Sequence, residues 1–304
     1  MNEWILQTNG LTKQLGGKAV VNDVSLRIRQ GDIYGFLGPN GAGKTTTIRM
    51  LLGLAKPTQG SVHIFGKELK RERMAILRKV GSLVEYPSYY GHLTGYDNLE
   101  ALRRILDVPR QRIDEVLAIV RLTKDARRAV KGYSLGMKQR LGIASALLGQ
   151  PDLLILDEPT NGLDPAGILE IRELIKSMPQ AHGVTILVSS HLLSEIDQMA
   201  SRVGIIAKGR MIFQDEIGAL RQRSQARIRF SVSEPEAAWK LLLASGYHAD
   251  WDRSRLSAEG GDDRAVAAMV AKLVEHDFAV YRVEEESASL ERIFLEMTGG
   301  EGSL

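Results

Sequence analysis

Up to about residue 223 the chain alternates short β-branched runs with stretches of helical spacing, for example at 33–37, 80–84, 153–157 and 184–189. Several of these runs lack polar alternation, the mark of strands covered by structure on both faces. The pattern predicts an α/β architecture, a mostly parallel sheet with helices on both sides. Between Gly91 and Lys131 the spacing becomes helical, with Ile113, Val116, Leu117 and Val120 three and four apart, and a helical insertion spanning about 91–145 is expected. The polar stretch 220–226, with Arg221, Arg223, Ser224 and Gln225, reads as a linker. The expected domains are therefore 1–224 and 225–304.

Beyond the linker the order is strand (227–232), helix (235–245), two short strands separated by 252–254, helix (263–275), strand (278–283) and a closing helix. This β-α-β-β-α-β-α succession predicts a small ferredoxin-like α+β domain. Leu290, Ile293, Phe294 and Met297 fall on one stripe of the last helix, which is expected to pack on its own domain or on the first.

A length of 304 residues with 44% hydrophobic and 25% charged content suits one large domain and one small one. There is no cysteine, which excludes disulfide scaffolds and thiolate metal sites and fits a reducing compartment. The start of the chain has Glu3 and no basic flank before an apolar run, so no secretory signal is expected. No stretch approaches the ~18 apolar residues of a membrane span, and the chain is not expected to cross a membrane by itself. The net charge of +3 is unevenly spread: residues 225–304 hold 9 basic against 15 acidic side chains, leaving 31 against 22 before them. A basic first part suits polyanion binding, and a solvated charged face accounts for it about as well.

The chemistry concentrates at strand ends. Gly38-Pro39-Asn40-Gly41-Ala42-Gly43-Lys44-Thr45 fits G-x-x-x-x-G-K-[ST] and lies between the apolar run 33–37 and a helical run opening at Thr46. Glycines let successive N–H groups turn toward the phosphates, and the helix N-terminus adds its dipole. Lys44 supplies a cation, and Thr45 offers a hydroxyl to Mg²⁺. A second apolar run ends in Asp157-Glu158, placing two carboxylates at the edge of the sheet where such folds bind ligands. Asp157 suits Mg²⁺ binding, partly through water. Glu158 suits orientation and deprotonation of an attacking water.

With these in place, the chain from Leu11 to about Lys208 resembles the nucleotide-binding domain of the ABC transporter superfamily, whose signature stands here as Tyr133-Ser134-Leu135-Gly136-Met137 followed by Lys138-Gln139-Arg140. The resemblance implies a P-loop NTPase sheet with a helical subdomain. It implies ATP and Mg²⁺ as ligands, with Ser134 and the Gly136 amide contacting a γ-phosphate held by a second subunit. Leu135 and Met137 stand where the family pattern has Gly and Gln. Asn161-Gly162-Leu163-Asp164 resembles the loop that crosses the dimer interface, and His191 the residue that contacts the γ-phosphate and steadies the water.

Two positions depart from the pattern. Leu15 occupies the place where an aromatic residue commonly stacks on adenine, so stacking worth about 1–3 kcal/mol is missing. Glu85 replaces the usual Gln of the loop joining core and helical arm, and there it would contribute to the Mg²⁺ site. A glutamate at this place resembles the branch that exports or removes antimicrobial peptides, such as bacitracin- and lantibiotic-resistance transporters. The expectation is an ATP-hydrolysing subunit that dimerises head to tail on ATP at the cytoplasmic face of the membrane. A separate transmembrane permease and a ferredoxin-like accessory domain complete it, with no nucleic-acid partner. Export of a drug or another amphiphile is the alternative. A non-transport ABC ATPase is disfavoured, since neither heptads nor an internal repeat is visible.

Overall fold

In the computed structural model the described residues are 4–84, 88–222, 227–252, 255–259, 262–286 and 290–298. The chain divides between Ile217 and Gly218 into two compact units. This is earlier than the 224/225 boundary, because the beginning of the expected linker is the end of a helix, Ile217–Gln222. Ile217 and Leu220, three apart, supply the apolar spacing that one helical turn needs, and Leu220 is buried. Residues 223–226 of that linker lie outside the described residues.

The first unit is built on a six-stranded sheet in the order Arg210–Glu216, Arg202–Ala207, Ile33–Leu37, Thr185–Ser190, Leu153–Asp157, Val80–Leu83. All neighbours are parallel except the first two strands, which form an antiparallel pair at the edge. Every residue of Ile33–Leu37, Leu153–Asp157 and Thr185–Ser190 is buried, which is why these strands show no polar alternation. Their carboxyl ends lie side by side.

A second, antiparallel sheet places the strand Trp4–Leu15 between Lys18–Val24 and Arg27–Arg29 along one edge and Gln59–Ile64 along the other, the last pairing in turn with Lys67–Glu68. Its pattern is broken by register shifts in all three pairings of Trp4–Leu15. Thr8 bridges the irregular stretch, its hydroxyl donating to the Val24 carbonyl at 2.9 Å and accepting the Leu26 N–H at 2.7 Å. Leu6, Ile28 and Ile64 of this sheet share one apolar core with Phe36, Ile155 and Leu187 of the parallel sheet and with Ile48 and Leu51 of the helix Lys44–Leu51.

The helical part comprises Gly95–Leu106, Gln111–Ile119 and Leu135–Leu147. Ile113, Val116, Leu117 and Val120 are all buried, as a single stripe. Thr94 caps the first helix, accepting the Asp97 N–H at 3.1 Å, and Ser134 caps the third. That third helix lies hard against the strand Val80–Leu83: a Cβ on Gly81 would fall 2.1 Å from the Ala146 carbonyl oxygen.

The second unit holds a four-stranded antiparallel sheet in the order Ala249–Asp252, Arg255–Glu259, Arg227–Val232, Val280–Glu286, with helices Pro235–Ala244 and Asp263–Glu275. Ile228, Phe230 and Val232 form its core with Leu242, Leu256, Met269 and Leu273. Trp239 stacks on Trp251 at 6.1 Å and donates to the Ala249 carbonyl at 2.9 Å. Its last strand begins at Val280, later than expected, because the Phe278 N–H is bonded to Leu273 at the end of the preceding helix. In the closing helix Leu290–Thr298, Ile293 and Phe294 are buried. No helix of the described residues is long and apolar enough to cross a membrane.

Candidate functional site

The phosphate-loop sequence leaves the buried strand Ile33–Leu37, turns, and enters the helix Lys44–Leu51 with Gly43 at its N-cap in the left-handed region (φ 108). Two glycines are imposed by close approach. A Cβ on Gly38 would lie 2.4 Å from the Ile206 carbonyl oxygen, and one on Gly43 2.8 Å from that of Val20. The loop is thus threaded between the strand Arg202–Ala207 and the hairpin strand Lys18–Val24, and a side chain at either glycine would push backbone against backbone. The helix start leaves N–H groups facing outward for an anion. Thr45 and Thr46, in the first turn, are half-buried.

Lys44 is only 5% exposed. Its ammonium donates to the Gly38 carbonyl at 2.7 Å and the Pro39 carbonyl at 3.3 Å, and lies 3.1 Å from Glu158 Oε1. The other Glu158 oxygen, Oε2, is 3.1 Å from His191 Nδ1. One carboxylate therefore stands between the loop cation and the histidine, at the carboxyl ends of three adjacent strands.

Its neighbour Asp157 is buried and turned elsewhere: Asp157 Oδ1 accepts from Ser189 Oγ at 2.6 Å, and Ser189 Oγ accepts the Glu158 N–H at 2.9 Å. The two side chains part because Glu158 takes a left-handed backbone (φ 47). Ser189 has no counterpart in the sequence reading, and its one signal is a hydroxyl two residues before His191 at the end of an apolar strand. Thr45 and Asp157 offer hard oxygen donors, and the described residues hold no group of three or more His, Cys, Asp or Glu arranged around a metal. This set fits a magnesium ion, which keeps several waters and is held by one or two carboxylates together with substrate phosphates. Glu85 lies outside the described residues.

Ser134, Gly136 and Asp164 gather around a different cleft, of about 440 Å³, which Leu135, Arg140 and Leu163 also line. Ser134 Oγ accepts the Met137 N–H at 3.2 Å. A Cβ on Gly136 would touch only Leu163, at 3.9 Å, so this helix end is open. Asp164 N-caps the helix Pro165–His182, accepting the Gly167 N–H at 3.1 Å. Leu15 is 54% exposed at the end of its strand, opposite Lys18 on the hairpin whose Val20 touches the phosphate loop.

Residues 21–161 match the sequence profile of the ABC transporter family. The bacitracin transport ATP-binding protein BcrA of Bacillus licheniformis is 43% identical over 302 residues, covering 97% of this chain and 98% of its own. The lantibiotic transport ATP-binding protein SrtF of Streptococcus pyogenes is 45% identical over 212 residues, 70% of this chain and 91% of its own. A solved ATP-binding subunit of an ABC transporter superposes with a TM-score of 0.64 at 29% identity, over 72% of this chain and 92% of its own. Phosphate loop, the Glu158 carboxylate held against its lysine and full-length similarity converge on one assignment: the chain belongs to the ABC transporter family, as an ATP-binding subunit with ATPase activity.

Proposed function

We propose that this subunit powers the export or membrane detachment of an antimicrobial peptide of the bacitracin or lantibiotic kind through a separate permease, from the cytoplasmic face of the membrane. The cargo reading is supported by the names of the relatives matched over most of the chain and by Glu85 in place of glutamine.

The hydrolytic reading is carried by one observation, Glu158 held between Lys44 and His191. Residues Gly38 to Thr46 cradle the phosphates and Lys44 meets the terminal one. Thr45, Asp157 and Glu85 would hold Mg²⁺, which neutralises charge on the phosphate oxygens. Glu158 accepts the proton of the attacking water, and His191, at the far side of the same carboxylate, keeps it aimed. Ser134 and Gly136 sit at a separate helix end and serve the nucleotide of a partner subunit, so two chains related head to tail complete two sites.

Identification of the protein that co-purifies from membranes, followed by survival of cells against a peptide panel, tests the cargo. Protection against bacitracin or lantibiotics is expected, and it should fall in Glu85→Gln while ATP turnover stays near the parent value, because the glutamine carbonyl still offers Mg²⁺ an oxygen and the phosphate cradle and base lie elsewhere. Protection against unrelated amphiphiles alone would replace the peptide reading with the alternative.

A further inference from the structure

Next to the Glu158–His191 pair lies another carboxylate. Glu195, on the short helix Leu193–Asp197, is 8% exposed. Its Oε2 accepts from Thr160 Oγ1 at 2.7 Å and from Ser190 Oγ at 2.9 Å. Both hydroxyls are buried. Thr160 belongs to the turn that carries Glu158, whose carbonyl accepts the Asn161 N–H at 3.1 Å. Ser190 directly precedes His191, and its backbone carbonyl accepts the Gly38 N–H of the phosphate loop at 3.3 Å. Ser190 Oγ also accepts the Leu192 N–H at 3.0 Å, which leaves its proton for Glu195 and fixes the rotor.

The position of this bridge matters. The ladder between Leu153–Asp157 and Thr185–Ser190 ends at the Asp157–Ser189 pair. Glu158 and His191 both lie beyond that last pair, where backbone pairing no longer holds the two segments in register. The single oxygen of Glu195 takes over there, joining the turn after one strand to the turn after the other. A buried carboxylate is tolerated when its oxygens are hydrogen-bonded, and a charged acceptor strengthens both bonds.

We propose that Glu195 is a positioning residue for ATP hydrolysis: it holds Thr160 and Ser190 on one oxygen and thereby sets the spacing of Glu158 and His191. This rests on Glu158 and His191 acting on the attacking water as proposed above. A carboxylate here ties the base, the histidine and the phosphate loop into one unit, so that they keep their mutual geometry when a phosphate arrives.

The test uses the full-length chain, with kcat and KM for ATP, affinity for a fluorescent ATP analogue and thermal midpoint measured for each variant. Glu195→Ala should lower kcat about 10- to 100-fold, the scale seen when groups that orient functional side chains are removed. Nucleotide affinity should change by less than about threefold, because the phosphate cradle is untouched. Glu195→Gln, whose amide oxygen can accept both hydroxyls, should recover most of the loss. Thr160→Val and Ser190→Ala should each cost part of it, and together no more than Glu195→Ala, since they act through one oxygen. Should Glu195→Ala not fold, these two variants decide. Parent-level kcat in the folded variants, or affinity falling in step with kcat, overturns the proposal. Glu158→Gln run in parallel separates the two ideas. If it keeps turnover, the reading of Glu158 fails; if it abolishes turnover while the Glu195 series does not, only the role of Glu195 fails.

Discussion

Lys44 Nζ and Glu158 Oε1 lie 3.1 Å apart, joining the first residue of the helix after the phosphate loop to the residue after a strand more than a hundred positions later. A terminal phosphate bound by the loop competes with this carboxylate for the ammonium. Glu158→Gln removes both the base and the competitor. Nucleotide affinity should therefore hold or tighten, while turnover falls about 10²- to 10⁴-fold. Steady-state phosphate release and titration with a fluorescent nucleotide measure the two effects, and near-parental turnover would remove Glu158 from the chemistry.

Ser134 and Gly136 line a cleft that contains no phosphate-loop residue. Mixing Lys44→Ala subunits with Ser134→Ala subunits should restore activity, because one heterodimer site pairs an intact Lys44 with an intact Ser134. ATPase activity above that of either variant alone is the expected result, with subunit exchange verified by differential labelling. A mixture that stays at the level of the singles argues against composite sites that work one at a time.

Gly81 and the Ala146 carbonyl bring the strand Val80–Leu83 and the helix that starts after Ser134 into close contact. Gly81→Ala would press a methyl against backbone, and neither side can turn away. A loss of about 1–3 kcal/mol is expected, the usual cost of overpacking. Urea unfolding reads it as a lower midpoint, and an unchanged midpoint would show that the contact yields freely.

Glu100 on the helical arm receives hydrogen bonds from Arg103 and Arg104, which hold its carboxyl down at about 2 from an ordinary 4.5. A carboxyl depressed in the folded chain stabilises above its unfolded pKa, and the contribution disappears as the pH falls through the folded value. The difference in thermal midpoint between the parent and Glu100→Gln should be constant near neutrality and shrink as the pH drops from 4.5 toward about 2. A difference that persists undiminished to the acid end contradicts this assignment.

What could be read from the sequence was what is local in it. The phosphate loop and the stripe from Ile113 to Val120 each declare themselves within about ten consecutive residues, through their spacing, and the Asp157-Glu158 pair takes its meaning from the phosphate loop, since an acidic pair after a strand is by itself as readily a helix cap. The antiparallel sheet around Trp4–Leu15 was hidden, because its register shifts break the alternation that marks a strand. The bridge at Glu195 was hidden for another reason. Thr160, Ser190 and Glu195 are ordinary polar residues in turns, and their meaning lies in a contact between segments 35 positions apart. The helix over 217–222 was masked by the charged residues that follow it.

The left-handed backbone of Glu158 (φ 47) has a consequence for how such a chain evolves. A residue with a Cβ held in that region gives up about 1–2 kcal/mol, which glycine does not. Glu158→Gly would relax the turn, and Lys44 would keep the Gly38 and Pro39 carbonyls as partners. Folding and turnover thus favour different residues at one position. A library sorted only for thermal resilience or soluble yield is drawn toward nucleotide-holding chains that no longer cleave ATP, and only continued selection for resistance or transport retains the glutamate.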